Sequence, residues 1–384
     1  MGEMVLLSEP SVQPGAPDPR PADPVPLVVD LDGTLLRTDT TIESLFDIVR
    51  RRPLRLLRLP FWLAGGQARF KRRVAVRTRI DLLALPRNED LVAHLRELKR
   101  QGRRLVLVTG ADRRIAQAVA AQTELFDAVL ASDDQINLGG SSRRDRLIDE
   151  FGEHGFDYAG SRARDLPVWA AARRGLLVRP SDRLASNAAR VTTIEQVFGG
   201  KRPDWRTYLG EMRIQHWLKN LLLMVPLLAA HRFYEPARLL DAMVGLLSFS
   251  LAASGVYVLN DLFDLPSDRG HPHKRNRALA SGNIPLLHAL VMVPALWLLA
   301  ASLALSLALP FLGALAVYAA LMVVYSVRLK DYAFIDALVL AAGYSLRVYA
   351  GSLAVALPVS AWLLVCSTEL FFGLALLKRY AELV

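Results

Sequence analysis

The chain has 384 residues, 52% of them hydrophobic, with 47 Lys and Arg against 37 Asp and Glu and a single cysteine, Cys366. That much apolar material excludes a mainly disordered protein, and one cysteine excludes a disulfide framework or a thiolate metal cluster. A net charge of +10 attracts nucleic acid, anionic lipid and phosphorylated substrates alike, so its distribution matters more than its size. Residues 221–384 hold 20 charged side chains in 164 positions, whereas the first 220 hold 64. Between Arg277 and Arg328 lie 50 residues without one, enough for two membrane helices of about 20 residues each. The front half reads as soluble, the back half as embedded in lipid.

Residues 1–24 are rich in Pro and lack an apolar core, which predicts a disordered tail rather than a signal peptide. Short apolar runs at 25–30, 104–109, 126–131, 156–160 and 176–179 predict five strands, with helical patterns such as 88–101 and 113–122 between them. Strand–helix alternation predicts an open parallel α/β sheet. Ligands bind such sheets outside the carboxyl ends of the strands, where Asp30, Thr109 and Gly160 fall. Between the first two strands, Arg50, Arg51, Arg52, Arg55, Arg58, Arg69, Lys71, Arg72 and Arg73 interleave with Leu54, Leu57, Phe61 and Trp62. This is either a helical cap with a solvated basic face or a helix lying on anionic headgroups. The expected division is a soluble α/β domain over 25–195 with a helical cap about 45–90, a linker over 196–212, and a membrane domain over 213–384.

Six spans are expected near 214–232, 239–259, 284–306, 309–327, 333–354 and 358–377, the first the weakest. The loops near 260–277, 328–331 and 378–379 carry Arg and Lys; those near 307–310 and 354–358 carry none. By the positive-inside rule the charged loops and the soluble half face the cytoplasm, as in a bacterial inner membrane.

Two motifs carry chemistry. The first is Asp30-Leu31-Asp32-Gly33-Thr34-Leu35 at a strand end. Two carboxylates at i and i+2 point into one cleft, Asp30 to attack phosphorus and Asp32 to handle the leaving-group proton, while Gly33 allows a sharp turn against a phosphate. The stretch 24–200 resembles the haloacid dehalogenase (HAD) phosphatase superfamily. The resemblance implies that Thr109 binds phosphate, that Arg143 fills the place of a catalytic Lys, and that Asp30, Asp32 and Asp165 hold Mg²⁺. Arg143 is a wider fork than Lys, and Ser161 stands where the family has a further Asp, which weakens the metal site.

The second motif is Asn260-Asp261-x-x-Asp264-x-x-x-Asp268, followed by Arg269, His271, Lys274, Arg275 and Arg277. On a helix, Asp261, Asp264 and Asp268 share one face. Three carboxylates at a membrane mouth are tolerable if they bind a divalent metal that in turn binds a diphosphate, and the basic run neutralises oxygens the metal does not reach. This stretch, over 208–384, resembles the UbiA superfamily of intramembrane prenyltransferases. Arg213-x-Gln215-x-Trp217-x-Lys219-Asn220 is similar to its polyprenyl-phosphate phosphoribosyltransferase branch, and Lys378-Arg379-Tyr380-Ala381-Glu382 sits at the place of its second acidic motif. The resemblance implies Mg²⁺ on Asp261, Asp264 and Asp268. It implies substrate binding by Arg213, Gln215, Lys219, Asn220, Asn260, His271, Lys274, Arg275, Arg277, Lys378, Arg379 and Glu382. That superfamily has nine spans, so six are read as a fragment or as a bundle closed by another chain.

Arg347 and Glu369 lie inside expected spans, paired with each other, or with Arg347 on a substrate phosphate. Tyr325, Lys330 and Asp336 line a cytoplasmic loop, and Cys366 reads as a small apolar packer. The fold expected is multidomain: an α/β, Rossmann-like HAD domain followed by an all-α multi-span transmembrane bundle. The function expected is Mg²⁺-dependent transfer of a phosphoribosyl group to a polyprenyl phosphate, with an attached phosphatase. Its partners are the membrane, a polyprenyl lipid and a diphosphate-bearing small molecule, not nucleic acid. The alternatives are aromatic prenyl transfer from a polyprenyl diphosphate, or a non-catalytic membrane scaffold.

Overall fold

The computed structural model describes residues 25–133, 137–200, 202–329 and 332–383. The expected tail at 1–24 and Lys330 lie outside the described residues, as do the side chains of Lys378, Arg379 and Glu382. The soluble half opens with β1 (Leu27–Asp30), α1 (Thr40–Arg51), α2 (Leu59–Leu63), α3 (Gln67–Ala75) and α4 (Glu89–Arg100). It continues through β2 (Leu105–Asp112), α5 (Arg113–Thr123), β3 (Ala128–Ser132), α6 (Ser141–Phe151), β4 (Asp157–Gly160), α7 (Leu166–Ala171), β5 (Arg174–Val178), α8 (Asp182–Ala189) and β6 (Thr193–Phe198). All pairings are parallel, in the order β3-β2-β1-β4-β5-β6. Every residue of β1 is buried, because helices cover both faces of a parallel sheet. Leu27, Val29, Leu105 and Leu107 pack on one face, and Val28, Val106, Val108 and Tyr158 on the other, the period of two that a pleated strand imposes.

β1 lies between β2 and β4, so the connections leave it in opposite directions. That reversal opens a crevice beyond its carboxyl end, at Asp30. The sheet has one strand more than the five expected, and β6 carries it past residue 195. Leu54, Leu57 and Phe61 of the cap region are 81%, 73% and 76% exposed, so its apolar side chains face outward with its arginines, a composition suited to headgroups.

The second half holds a short helix, α9 (Trp205–Glu211), then a 3₁₀ stretch Ile214–Met224 and α10 (Val225–Ala229). The first expected span is therefore not a long helix. Arg213 starts it in the left-handed region, with φ of 53°, and Pro226 near the start of α10 lacks an N–H. Among the described residues four helices are long and apolar enough to cross a membrane: α11 (Pro236–Gly270), α12 (Leu286–Ala304), α13 (Leu309–Val327) and α14 (Ala333–Ala354), the last over Phe334–Ala354. α15 (Ala361–Leu383) adds a shorter apolar stretch, Ala361–Leu377. α11 runs unbroken from the bundle through the whole Asp motif.

The halves meet at the end of α11. Arg269 donates to both Glu43 oxygens, at 2.6 and 3.1 Å, and the pair is buried. Gly282, at φ +68°, lies so close to the β1–α1 loop that a Cβ there would stand 2.7 Å from Cβ of Arg37. The soluble half thus sits on the same face of the bundle as the Asp motif.

Candidate active sites

Beyond β1, Arg143 of α6 reaches Asp30 Oδ1 at 2.9 Å and Asp165 Oδ1 at 3.2 Å, and donates to the Tyr158 hydroxyl at 2.7 Å. All four side chains are buried. Burial works against the Arg143 cation, but Asp30, Tyr158 and Asp165 outweigh it and raise its pKa. The contact to Asp30 Oδ1 is an ion pair without hydrogen-bond alignment, which leaves that oxygen's lone pairs uncommitted. Its neighbour Oδ2 accepts from the Thr34 hydroxyl at 3.2 Å. Burial raises the Asp30 carboxyl, against the pull of Arg143. Burial and then Asp39 push Asp32 up to about 7, against a 2.8 Å hydrogen bond from the Thr40 N–H. Asp30 thus keeps one oxygen outside any hydrogen bond, and Asp32 is a carboxyl able to carry a proton near neutrality.

Thr109 is buried at the end of β2, where its hydroxyl accepts the Ala111 N–H at 3.0 Å. Asp165 is not arranged as a metal ligand. Oδ1 faces Arg143 and Tyr158, and Oδ2 accepts the N–H groups of Ser161 and Arg162 at 3.1 and 2.9 Å. Arg162 lies over Gly33, its Nε 3.1 Å from where a Cβ would stand, and its Nη1 pairs with Asp39 at 3.0 Å. With Ser161 in place of an acid and a guanidinium alongside, this donor set does not fit a divalent cation. Among the described residues no three His, Cys, Asp or Glu side chains come together as a metal cage in either half. Sequence reasoning missed Arg162; the signal was an arginine next to the serine that departs from the family pattern.

In the membrane half the acidic motif splits. Asp261 accepts from Arg213 Nη2 at 2.6 and 2.7 Å, and Arg277 Nη1 bridges it to Asp268 at 3.2 and 2.7 Å. Asp264 instead accepts from Asn260 at 3.0 Å, and these two line a cavity of about 280 Å³. Helical periodicity put three acids on one side, but cations from two other segments divide them. Arg213, Lys219, Tyr257, Tyr325 and Arg347 also line the cavity. Asn260 and Asp264 give it one carboxylate and one amide oxygen. That is the small protein share with which Mg²⁺ binds when phosphates supply the other ligands, so this donor set fits magnesium together with a diphosphate.

Other expected members lie elsewhere. Gln215 is exposed on a separate apolar groove beside Ile214 and Leu218. His271, Lys274 and Arg275 are exposed to solvent. Asn220 is buried, donating to Ser250 and accepting from Arg347 Nε at 2.8 Å, so it holds Arg347 rather than lining the cavity. Arg347 does not pair with Glu369, which is exposed. It donates to Asn220, the Gly343 carbonyl and the Tyr318 hydroxyl, and lies 4.9 Å from the Tyr318 ring centre. Tyr325 donates to Asp336 at 2.6 Å. Cys366 is exposed rather than packed.

Glu211 was not anticipated, although it lies two residues before Arg213. It is 6% exposed with Oε1 unpartnered, and burial followed by Asp261 pushes its carboxyl up to about 7. The folded chain therefore holds this proton where the unfolded chain has lost it. Stability from this group is full below about 4.5 and falls as pH rises through 7. Glu211→Gln is expected to flatten the decline in melting temperature between pH 5 and pH 8, and an unchanged decline would remove Glu211 as its source.

Comparison with known proteins covers both halves. A profile described as "UbiA prenyltransferase family" matches residues 221–381, and one described as "haloacid dehalogenase-like hydrolase" matches 27–175. The uncharacterized protein y4nM of Sinorhizobium fredii is 36% identical over 365 residues, covering 93% of this chain and 69% of its own length. Nodulation protein NoeC of Azorhizobium caulinodans is 39% identical over 179 residues, 46% of this chain and 57% of its own. Decaprenyl-phosphate phosphoribosyltransferase of Mycolicibacterium smegmatis is 34% identical over 186 residues, 45% of this chain and 55% of its own. The chain thus spans little more than half the length of the last two. It is an integral membrane protein, and it belongs to the UbiA prenyltransferase family of transferases, with a haloacid dehalogenase-like hydrolase domain ahead of its membrane helices.

Proposed function

We propose that the membrane half moves a phosphoribosyl group from phosphoribosyl diphosphate to a polyprenyl phosphate, and that the soluble half removes a phosphate from the lipid-linked product. The cavity's charge balance carries this reading: Lys219 and Arg347 line it together with Asn260 and Asp264, while Arg213 on the same lining is paired with Asp261, an arrangement complementary to a diphosphate. The similarity to phosphoribosyltransferases over the same half supports it. Mg²⁺ held by Asp264 and Asn260 would neutralise the leaving diphosphate. Lys219 and Arg347 would bind diphosphate oxygens, most strongly as negative charge gathers there. The charged loops and the attached soluble half are assigned to the cytoplasm.

The test is to supply the protein in membranes with labelled phosphoribosyl diphosphate and decaprenyl phosphate and follow label into the lipid fraction. A second reading, aromatic prenyl transfer, is favoured by the cavity's tyrosines, Tyr257, Tyr318 and Tyr344, whose faces suit an allylic cation. Turnover only with a prenyl diphosphate and an aromatic acceptor would establish that reading and remove the first.

For the soluble half, hydrolysis of p-nitrophenyl phosphate is expected to fall as pH rises above about 7, where Asp32 loses its proton. A kcat/KM profile flat from pH 6 to 8.5 would exclude Asp32 as the acid, and Asp30→Asn should abolish hydrolysis at every pH.

A further inference from the structure

Between the two halves lies a cleft of about 560 Å³. One wall is the mouth of the soluble site: Gly33, Asp39, Ser161 and Arg162. The Thr34 hydroxyl lies 3.0 Å from Ser161 Oγ and 3.2 Å from Asp30 Oδ2, so the cleft begins one hydroxyl away from Asp30. The opposite wall belongs to the membrane half, from Gly282 to the first turn of α12, with Leu286 and Leu287 on it.

The charge of this cleft is unbalanced. Arg37, Arg162, Arg179 and Arg202 line it against one carboxylate, Asp39, and that carboxylate is paired with Arg162. Among the described residues, the other three guanidinia make hydrogen bonds to neutral groups only. Arg37 donates to the Asn88 amide oxygen. Arg179 donates to the Gly282 carbonyl at 3.1 Å and to Asn283 at 3.3 Å. Arg202 donates to the carbonyls of Arg179 and Ser161. Burial and then the neighbouring Arg37 and Arg202 charges lower the Arg179 pKa. Three like charges are thus held together by backbone and amide oxygens, with no anion of the described chain among them.

We propose that this cleft binds the phosphate monoester headgroup of a lipid. Arg37, Arg179 and Arg202 take the phosphate, and Leu286 and Leu287 take the start of the attached chain. A monoester carries nearly two negative charges at neutral pH, which three guanidinia match with bidentate geometry. The membrane half then forms the second wall of the soluble domain's binding site, and it selects for substrates that carry an apolar tail. This rests on the phosphatase reading above only in that the soluble half handles phosphate esters; a phosphate joined directly to its chain is a simpler ester than the ribosyl-linked product.

Calorimetry on the full chain in detergent, with empty micelles as the blank, tests it with two probes, inorganic phosphate and hexyl phosphate. Hexyl phosphate is expected to bind roughly tenfold tighter or more, from burial of its methylenes. Arg179→Gln with Arg202→Gln should weaken both probes by roughly tenfold or more. Leu287→Gln, on a half-exposed residue, should weaken hexyl phosphate alone. Equal affinity for the two probes would mean a site for free phosphate, and unchanged binding in the double arginine variant would mean no phosphate site in this cleft; either overturns the proposal. Should the double variant lose its cooperative melting, Arg37→Gln serves in its place with the same two expectations. Binding is read without turnover, so an inactive phosphatase leaves this result standing, and loss of binding leaves the transfer assay untouched.

Discussion

Replacing Arg143 with alanine is expected to cost the soluble half about 3–5 kcal/mol, the penalty for removing one partner from a buried ion pair. Its guanidinium lies between Asp30 and Asp165 and also donates to Tyr158, and none of the four has access to water. Without it, two carboxylates face each other in a dry crevice at the centre of the sheet. Hydrogen exchange of the β1 and β4 amides is the suitable probe, since both strands end at this cluster. Their protection should fall by the full amount. Adding Asp30→Asn to Arg143→Ala should recover part of the loss, because one uncompensated charge is gone. If the single variant keeps wild-type protection, the cluster does not hold the sheet together. Arg143→Lys separates orientation from charge: one ammonium cannot span both carboxylates and the hydroxyl, so intermediate stability is expected.

The parts of this site that lie close in sequence are legible from the residues alone. The apolar run ending in Asp30, and Thr109 at the end of a second run, place a crevice where the sheet has one, because a parallel strand buried on both faces leaves an unbroken hydrophobic signature. The sixth strand is not legible in that way. Thr193–Phe198 is an edge strand with only Phe198 buried, so its polar residues hide any period. In the membrane half, the spacing of Asp261, Asp264 and Asp268 specifies a helix face but not the cations that divide it. Arg213 lies 48 positions upstream of Asp261, and nothing local records that it folds back. Asn220 shows the same limit: the motif marks it as important, and the fold makes it the support for Arg347.

Arg347→Ala is expected to have the largest effect of any single change on transfer, about 10²–10³-fold in kcat, the scale for losing one preorganised donor at developing negative charge. Arg347 lines the cavity with Asn260 and Asp264. It is a cation at membrane depth whose described partners are the neutral oxygens of Asn220, Gly343 and Tyr318, together with the ring faces of Phe249, Tyr318 and Tyr344. Rings and neutral acceptors fix the direction of the guanidinium but do not cancel its charge, so its electrostatic attraction remains for a ligand. An arginine kept only for packing would behave differently: Arg347→Met, similar in length and apolar, would then preserve both stability and turnover. If the charge serves the diphosphate, Arg347→Met should keep the bundle folded in detergent and still lose transfer, with the loss in kcat exceeding any rise in KM. Asn220→Ala should follow the same direction more weakly, because it frees the guanidinium without removing it. Full activity in Arg347→Met would sink the assignment and return Arg347 to a purely structural place in the bundle.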